Sequence, residues 1–314
     1  MVKFFIKGNE ALARQDYPLA KRYYDAGIQL DTTLPDIFNN RGIAHFEMGQ
    51  IQAARRDYDR ALQMKPDFAQ AYYNRANLHY AQNDFVLAIA DLGKVMKALP
   101  DSAAPRLARS RAYLKSHQYE RALADLNHLL KIDPNFEGGY ESRGYLQLLL
   151  GQYAEAEKDL RQGLLQNPEA DLAWANLGRL KLKTSAPDSA LIYIQKALAL
   201  NPDEPYNQNA LIEYYLQTGQ NELAEATLRQ RKEDPERANQ YWWAALALAQ
   251  GKPDKAIDRL EALIRQKNFP PECYETLAQC YLLVQNMEKA CFFWKKAQEI
   301  KRPVASEKMR SSCI

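Results

Sequence analysis

The sequence predicts an all-α solenoid, and two regularities of spacing carry that prediction. Prolines recur at equal intervals along the chain, and an alanine stands at one fixed distance before each of them. The prolines are Pro66, Pro100, Pro134, Pro168 and Pro202, and the alanines are Ala54, Ala88, Ala122, Ala156 and Ala190. A fixed period of this length is typical of an array of repeats and is not needed by a single globular core.

Each period contains the signals of two helices in contact. A small residue stands at a second fixed distance before each proline, where we expect the two helices to touch, because a large side chain would hold their backbones apart. These residues are Gly42, Ala76, Ser110, Gly144 and Gly178. Apolar residues recur at helical spacing, as in Ala122, Leu126, Leu129 and Leu130, and no strand-like alternation is seen. Each proline is expected just past the second helix, where the chain turns.

These residues resemble the tetratricopeptide repeat (TPR), a unit of two antiparallel helices in about 34 residues. Gly8, Ala20 and Tyr24 extend the pattern to the first repeat, and Ala278 and Ala290 extend it to the last. The resemblance implies a right-handed superhelical solenoid that forms one domain over residues 1–304, with a tail at 305–314. The repeats are 1–34, 35–68, 69–102, 103–136, 137–170, 171–204, 205–236, 237–270 and 271–304. The seventh is two residues short, so a change of twist is expected near residues 231–237.

Arginine replaces the usual leucine at position 7 of four consecutive repeats, and an aspartate follows each arginine at the same spacing. The pairs are Arg41 with Asp57, Arg75 with Asp91, Arg109 with Asp125, and Arg143 with Asp159. Where position 7 becomes apolar, as at Leu177, the aspartate is lost as well. We therefore expect a structural ion pair between the two helices of each of these repeats. A basic ladder offered to a ligand is the alternative.

Composition and motifs argue against several classes of protein. The net charge is +3 with 26% charged residues, which does not favour a dedicated nucleic-acid binder. No apolar run reaches transmembrane length. No phosphate-binding glycine loop, catalytic triad or zinc spacing is found, and His45 and His79 occupy positions that normally pack. We expect no enzyme activity, no catalytic residue, no cofactor, no metal and no small-molecule substrate.

The helical pattern begins within the first few residues, which suggests a fragment or a mature form from which a leader was removed. A cytoplasmic location is favoured, and a periplasmic one is the alternative if such a leader was removed. The compartment stays open.

In the family that the chain resembles, positions 2, 5, 6, 9, 12 and 13 of the first helices line a concave groove that binds extended peptides or partner helices. The peptide-binding residues predicted on this basis are Asn9, Asn39, Asn40, Tyr73, Asn74, Asn77, Tyr80 and Arg111. Amides donate to and accept from a peptide backbone, and tyrosines supply flat apolar area. Local packing of the asparagines is the alternative. A second candidate patch consists of Tyr206, Tyr241 and Trp242, and further basic groove positions hold Lys115, Arg179 and Lys183.

Heat-shock co-chaperones of this family hold a terminal carboxylate with a clamp of two asparagines and three cations. Asn9 and Asn40 match the asparagines, but Phe5, Gln70 and Asn74 stand where the cations belong. Without those charges the carboxylate loses its main partners, so binding by this clamp is rejected.

The sequence therefore predicts a non-enzymatic scaffold that binds a protein or extended peptide, of unknown identity, along its concave face. A structural module of a larger assembly, such as an envelope complex, is the alternative, and nucleic-acid binding is a third and weaker one. Replacing Asn40 and Asn74 by alanine is expected to weaken binding and to leave stability nearly unchanged.

Overall fold

The computed structural model describes residues 1–231, 239–266, 269–270 and 272–300, and these residues form eighteen α-helices and no strand. The helices are α1 (Val2–Ala13), α2 (Tyr17–Leu30), α3 (Pro35–Glu47), α4 (Ile51–Met64), α5 (Ala69–Ala81), α6 (Phe85–Ala98), α7 (Ala104–Lys115), α8 (Tyr119–Ile132), α9 (Gly139–Leu149), α10 (Tyr153–Gln166), α11 (Asp171–Lys183), α12 (Pro187–Leu200), α13 (Pro205–Gln217), α14 (Asn221–Arg229), α15 (Gln240–Ala249), α16 (Pro253–Arg265), α17 (Glu272–Leu283) and α18 (Met287–Ile300). Each odd-numbered helix packs on the even-numbered helix that follows it. The predicted all-α array of helix pairs is confirmed.

Two compact units divide the chain, namely unit 1 (Met1–Phe136, with α1–α8) and unit 2 (Glu137–Ile314, with α9–α18). The division coincides with the end of the fourth predicted repeat. That residues 1–304 form a single domain stays a prediction. The expected change of twist near residues 231–237 falls almost wholly outside the described residues.

The two helices of a repeat meet at the small residues that the sequence pointed to. A Cβ atom added to Gly8 would lie 2.4 Å from the ring of Tyr24, and one added to Gly42 would lie 2.6 Å from the ring of Tyr58. The alanines that recur with the prolines, Ala54, Ala88, Ala122, Ala156 and Ala190, are fully buried. Each proline lies two residues past the end of a second helix. The close approach of the helices therefore depends on missing side-chain volume.

A left-handed backbone residue ends the first helix of every repeat, always at position 15. The nine residues, each with φ between 58° and 75°, are Gln15, Gly49, Asn83, His117, Gly151, Ser185, Gly219, Gly251 and Gln285. Only four of them are glycine, so the pattern of residue types does not reveal the rule. Because the position is the same in every repeat, the chain reversal requires this conformation, even where a Cβ atom makes it unfavourable.

We expect a gain of about 1 kcal/mol in the free energy of unfolding for Ser185→Gly, because glycine adopts positive φ without the Cβ penalty. Gly49→Ala should cost a similar amount, since a Cβ at Gly49 would meet nothing within 4 Å and only the backbone penalty remains. Urea unfolding followed by circular dichroism measures both. Equal stability of Gly49→Ala and the wild type would show that the turn carries no such strain.

All four predicted arginine–aspartate pairs are present and bidentate. In the first of them, Arg41 Nε donates to Asp57 Oδ2 at 2.8 Å and Nη2 donates to Oδ1 at 2.7 Å. The other three have the same geometry, with N–O distances between 2.6 and 2.9 Å. The four aspartates are buried, while the arginine side chains keep about a fifth of their surface exposed. These arginines therefore hold helix pairs together, as predicted.

Arg41 and Arg75 also reach the preceding repeat. Arg41 Nη1 donates to Asp25 at 2.8 Å and Arg75 Nη1 donates to Asp59 at 2.6 Å, so each guanidinium joins three helices. In the repeat before Arg109, the residue that corresponds to Asp25 and Asp59 is Gly93. A Cβ atom added to Gly93 would meet nothing within 4 Å. The third repeat therefore lacks a contact for which it has the space.

We expect Gly93→Asp to restore this contact by placing a carboxylate beside Arg109. Its free energy of unfolding should exceed that of the uncharged isostere Gly93→Asn by about 0.2–1 kcal/mol, the usual range for a partly exposed ion pair. Because asparagine and aspartate have similar helix propensities, the difference isolates the charge. It should shrink at high salt concentration. Equal stability of the two variants at low salt would refute the pairing.

The two histidines noted in the sequence and two cysteines of the last repeat serve as core residues. His45 and His79 are buried, and burial lowers the pKa of His79. Burial raises the pKa of the Cys273 thiol to about 12 and that of Cys280 to about 11, which leaves both as unreactive thiols. Within the described ranges, no three His, Cys, Asp or Glu side chains are grouped to hold a metal. None of the described helices is long and apolar enough to cross a membrane.

Candidate functional site

A row of hydrogen-bonded amides crosses the first helices of unit 1. Asn74 Nδ2 on α5 donates to Asn39 Oδ1 on α3 at 2.8 Å, and Asn39 Nδ2 donates to Asn40 Oδ1 at 2.9 Å. Asn40 Nδ2 in turn donates to Asn9 Oδ1 on α1, also at 2.9 Å. We call these four residues the amide ladder. The structure thus brings together four of the predicted site residues from three successive repeats.

Both ends of the amide ladder are held by further side chains. The Tyr24 hydroxyl donates to Asn9 Oδ1 at 2.8 Å, and Gln70 Nε2 donates to Asn74 Oδ1 at 3.2 Å. Burial raises the pKa of Tyr24 to about 12. Every ladder carbonyl therefore accepts a hydrogen bond from within unit 1, while each amide nitrogen has at least one N–H in addition to those used in the ladder.

Asn39 differs from the other members, because only 2% of its surface is exposed. Asn9, Asn40 and Asn74 are half-buried at the surface of their helices. Asn39 therefore supports its neighbours from below and is not itself placed to touch a ligand. Local packing, the alternative left open by the sequence, therefore accounts for Asn39, and peptide binding by the other three asparagines stays a prediction.

Helix α5 places three more predicted residues beside the amide ladder. Asn77 is exposed, one turn after Asn74 and on the same side of the helix. Tyr73 is half-buried and makes no hydrogen bond to the described residues. The ring of Tyr80 packs edge-on against Phe85 at 5.5 Å between centroids. Burial raises the pKa of Tyr80, and the positive charge of Arg111 opposes this rise.

Two basic side chains lie on α7 at the far end of this surface. Arg111 and Lys115 are both exposed and are one helical turn apart, so they share a face. Neither forms an ion pair or hydrogen bond with any residue in the described part of the chain. We call these two residues the basic pair.

The second predicted patch lies in unit 2, and its tyrosines are already bonded. The Tyr206 hydroxyl donates to Asn176 Oδ1 at 2.5 Å, and its ring lies under the Arg179 guanidinium at 5.1 Å. The Tyr241 hydroxyl is 3.4 Å from Thr276 Oγ1, and its ring packs against Trp242 at 5.0 Å. Burial raises the pKa of both tyrosines.

A buried carboxylate neutralises the basic residues of unit 2 that the sequence placed in the groove. Glu213 Oε2 accepts from Arg179 Nε at 2.8 Å, and Glu213 Oε1 lies 3.2 Å from Lys183 Nζ. Burial alone would raise the pKa of Glu213, but these two cations outweigh it and lower that pKa. Sequence reasoning missed this pair, although Arg179 and Glu213 hold position 9 of consecutive repeats and carry opposite charges.

The arrangement of helix pairs agrees with comparison against protein families. Three family models described as tetratricopeptide repeat match residues 39–104 and 142–205, residues 79–138, and residues 238–266. Together these matches cover more than half of the chain. The chain belongs to the tetratricopeptide-repeat family.

Solved structures of other TPR proteins share this fold at low sequence identity. A tetratricopeptide repeat protein from Parabacteroides merdae is 18% identical with a TM-score of 0.55, and the match covers 78% of this chain and 97% of that one. PilF of Pseudomonas aeruginosa is 16% identical with a TM-score of 0.59, covering 67% and 96%. YrrB, described as a TPR protein with an unusual peptide-binding site, is 20% identical with a TM-score of 0.50, covering 60% and 96%. At such identities the similarity shows the fold alone. A search of curated proteins gives no match.

The geometry of this TPR chain corrects the expectation that Asn74 can be removed without loss of stability. Asn74→Ala deletes the donor to the buried Asn39 Oδ1 and should cost about 1–3 kcal/mol in the free energy of unfolding. The exposed Asn77 lies one turn away and outside the amide ladder, so Asn77→Ala should cost little. Denaturant unfolding of both variants measures the difference. Equal costs would mean that the ladder contributes no stability.

Proposed function

We propose that this protein is a non-enzymatic TPR scaffold that binds an extended segment of a partner protein on the first-helix face of unit 1. The amide ladder is the observation that carries the proposal. Its carbonyl oxygens are engaged within unit 1, so the groups it has left for a ligand are N–H donors. A peptide laid across the first helices offers matching carbonyl acceptors along its backbone.

Side chains next to the amide ladder supply the rest of such a site. Asn77 is exposed and outside the ladder, so it can both donate to and accept from a peptide bond. Tyr73 and Tyr80 offer ring surface at a low cost in side-chain entropy. Backbone hydrogen bonds of this kind contribute about 0.5–1.5 kcal/mol each, and buried aromatic area adds to them. YrrB, with its own peptide-binding site, gives a precedent on the same fold.

The second patch supports the proposal less well. The hydroxyl groups of Tyr206 and Tyr241 are directed at Asn176 and Thr276, and Trp242 packs against the core around Leu246. The cations beside it already share Glu213. A ligand bound there would have to replace contacts that unit 2 makes within itself. On the first-helix face of unit 1, amide N–H donors, the exposed Asn77 and the basic pair are available without such a loss.

A random decapeptide display library selected on the intact protein tests this function. We expect enriched peptides whose affinity falls about tenfold or more in the double variant Tyr73→Ala with Asn77→Ala, since one exposed amide and one ring surface are lost. Trp242→Ala in unit 2 is the matched control and should leave the affinity within about twofold. Thermal unfolding of both variants checks that each remains folded.

The two variants separate the candidate sites. Loss of binding in Trp242→Ala, with the unit 1 variant unaffected, would move the site to the second patch. Selected peptides that bind both variants as well as the wild type would refute binding on the first-helix face. The outer helices and the ends of the array, as in the assembly alternative, would then be the remaining surfaces.

A further inference from the structure

The arginines of the first helices in unit 1 include one that the fold does not use. Arg41, Arg75 and Arg109 each hold a buried aspartate through two hydrogen bonds. Arg106 donates to the carbonyl oxygen of Pro100. Arg111 is exposed and has no such partner within the described residues. A structural role therefore accounts for the others and not for Arg111.

The neighbour of Arg111 on the same face is a second cation. Like charges one turn apart in a helix destabilise it by a few tenths of a kcal/mol, and no described carboxylate pairs with either member of the basic pair. Elsewhere on the first helices the chain supplies a carboxylate where two cations meet, as Glu213 does for Arg179 and Lys183. The basic pair is thus an uncompensated positive site at the α7 end of the proposed peptide face.

The opposite end of that face has a different character. Val2 and Ile6 are 62% and 50% exposed, and their spacing to Asn9 places all three on one side of α1. On α3, Asp36 and Glu47 lie on the side that carries Asn40, so that end is apolar with negative charge beside it. The first-helix face therefore runs from apolar at α1, through amides and tyrosine rings, to positive at α7.

We infer that the partner segment is acidic at one end, with Asp or Glu side chains held by Arg111 and Lys115 and an apolar side chain packed near Val2 and Ile6. The inference rests on the proposed function, because it names the chemistry of the segment bound on the same face. Acidic groups at the α1 end would lie beside Asp36 and Glu47 of the neighbouring helix α3, which carry the same charge, so the charge of the segment also favours one direction.

The length of the segment follows from helix spacing. Four first helices at about 8–10 Å between neighbouring axes separate the α1 and α7 ends by about 24–30 Å. An extended chain advances about 3.3 Å per residue. The apolar and acidic residues of the segment are therefore about seven to nine residues apart, which a decapeptide can span.

The sequences enriched by decapeptide display on the wild-type protein test this chemistry. We expect Asp or Glu to be enriched near one end and an apolar residue near the other. Affinity of a selected acidic peptide should fall at least about tenfold in the charge-reversed variant Arg111→Glu with Lys115→Glu, which corresponds to about 1.4 kcal/mol. A second selection on that variant should enrich Lys and Arg at the same end.

Lys94→Glu with Lys97→Glu is the matched control. Both lysines are exposed on α6, a second helix of unit 1, and the variant changes the net charge by the same amount. It should keep the affinity within about twofold, since long-range steering alone is screened at physiological salt. Equal losses in the two variants would show that net charge matters and that the basic pair is not a site.

The outcomes separate this inference from the proposed function. Enriched peptides that depend on Tyr73 and Asn77 but show no acidic preference would refute the inference and leave the proposed function standing. A library that gives no enrichment would count against both. Binding of a fluorescein-labelled oligouridylate that is lost in Arg111→Glu with Lys115→Glu, without acidic peptides being selected, would overturn the inference in favour of nucleic acid.

Discussion

The close contact between the two helices of each repeat is the constraint on which the rest of the structure depends. It requires almost no side chain on one helix, as at Gly42, where even a Cβ atom would meet the ring of Tyr58. Because a pair of helices buries only one face by itself, the remaining apolar surface must be covered by the next pair. The contacts between repeats therefore decide how the first helices line up, and the first helices carry the candidate site.

Charge and amide contacts provide this alignment in unit 1. The guanidinium of Arg41 joins its own two helices and the last helix of the preceding repeat. Where arginine and aspartate are both lost, apolar packing takes over, since Leu177 is fully buried and the ring of Tyr193 stacks on Trp174 at 5.7 Å. One fold thus uses two means of holding a helix pair. The ion pairs keep the polar side chains of neighbouring repeats aligned, whereas apolar packing holds the helices together without such side chains.

Much of the fold could be predicted from the sequence, because the constraints that build it recur in every repeat at the same position. Repetition reveals a rule only where the residue type is fixed, as for Ala54 and its equivalents or for the pair Arg41 and Asp57. The left-handed residue at position 15 of each repeat could not be predicted from the sequence, because residue types as different as Gln15, Asn83 and Gly49 adopt this conformation there. That residues of the candidate site lie on the first helices of successive repeats was predictable from their positions. The burial of Asn39 and the partial exposure of Asn40 depend on how one repeat packs against the next. The sequence of a single repeat does not determine that packing.

The amide ladder that aligns the first helices would also prepare them for the proposed peptide. A flexible asparagine loses side-chain entropy when it binds, and that loss reduces affinity. In the amide ladder this side-chain entropy is already lost on folding, because hydrogen bonds to their neighbours fix Asn9, Asn40 and Asn74. Arg111 and Lys115 have no such support, so they contribute charge and not fixed geometry. The amides are therefore suited to hold a backbone in place, and the cations are suited to select which segment is held.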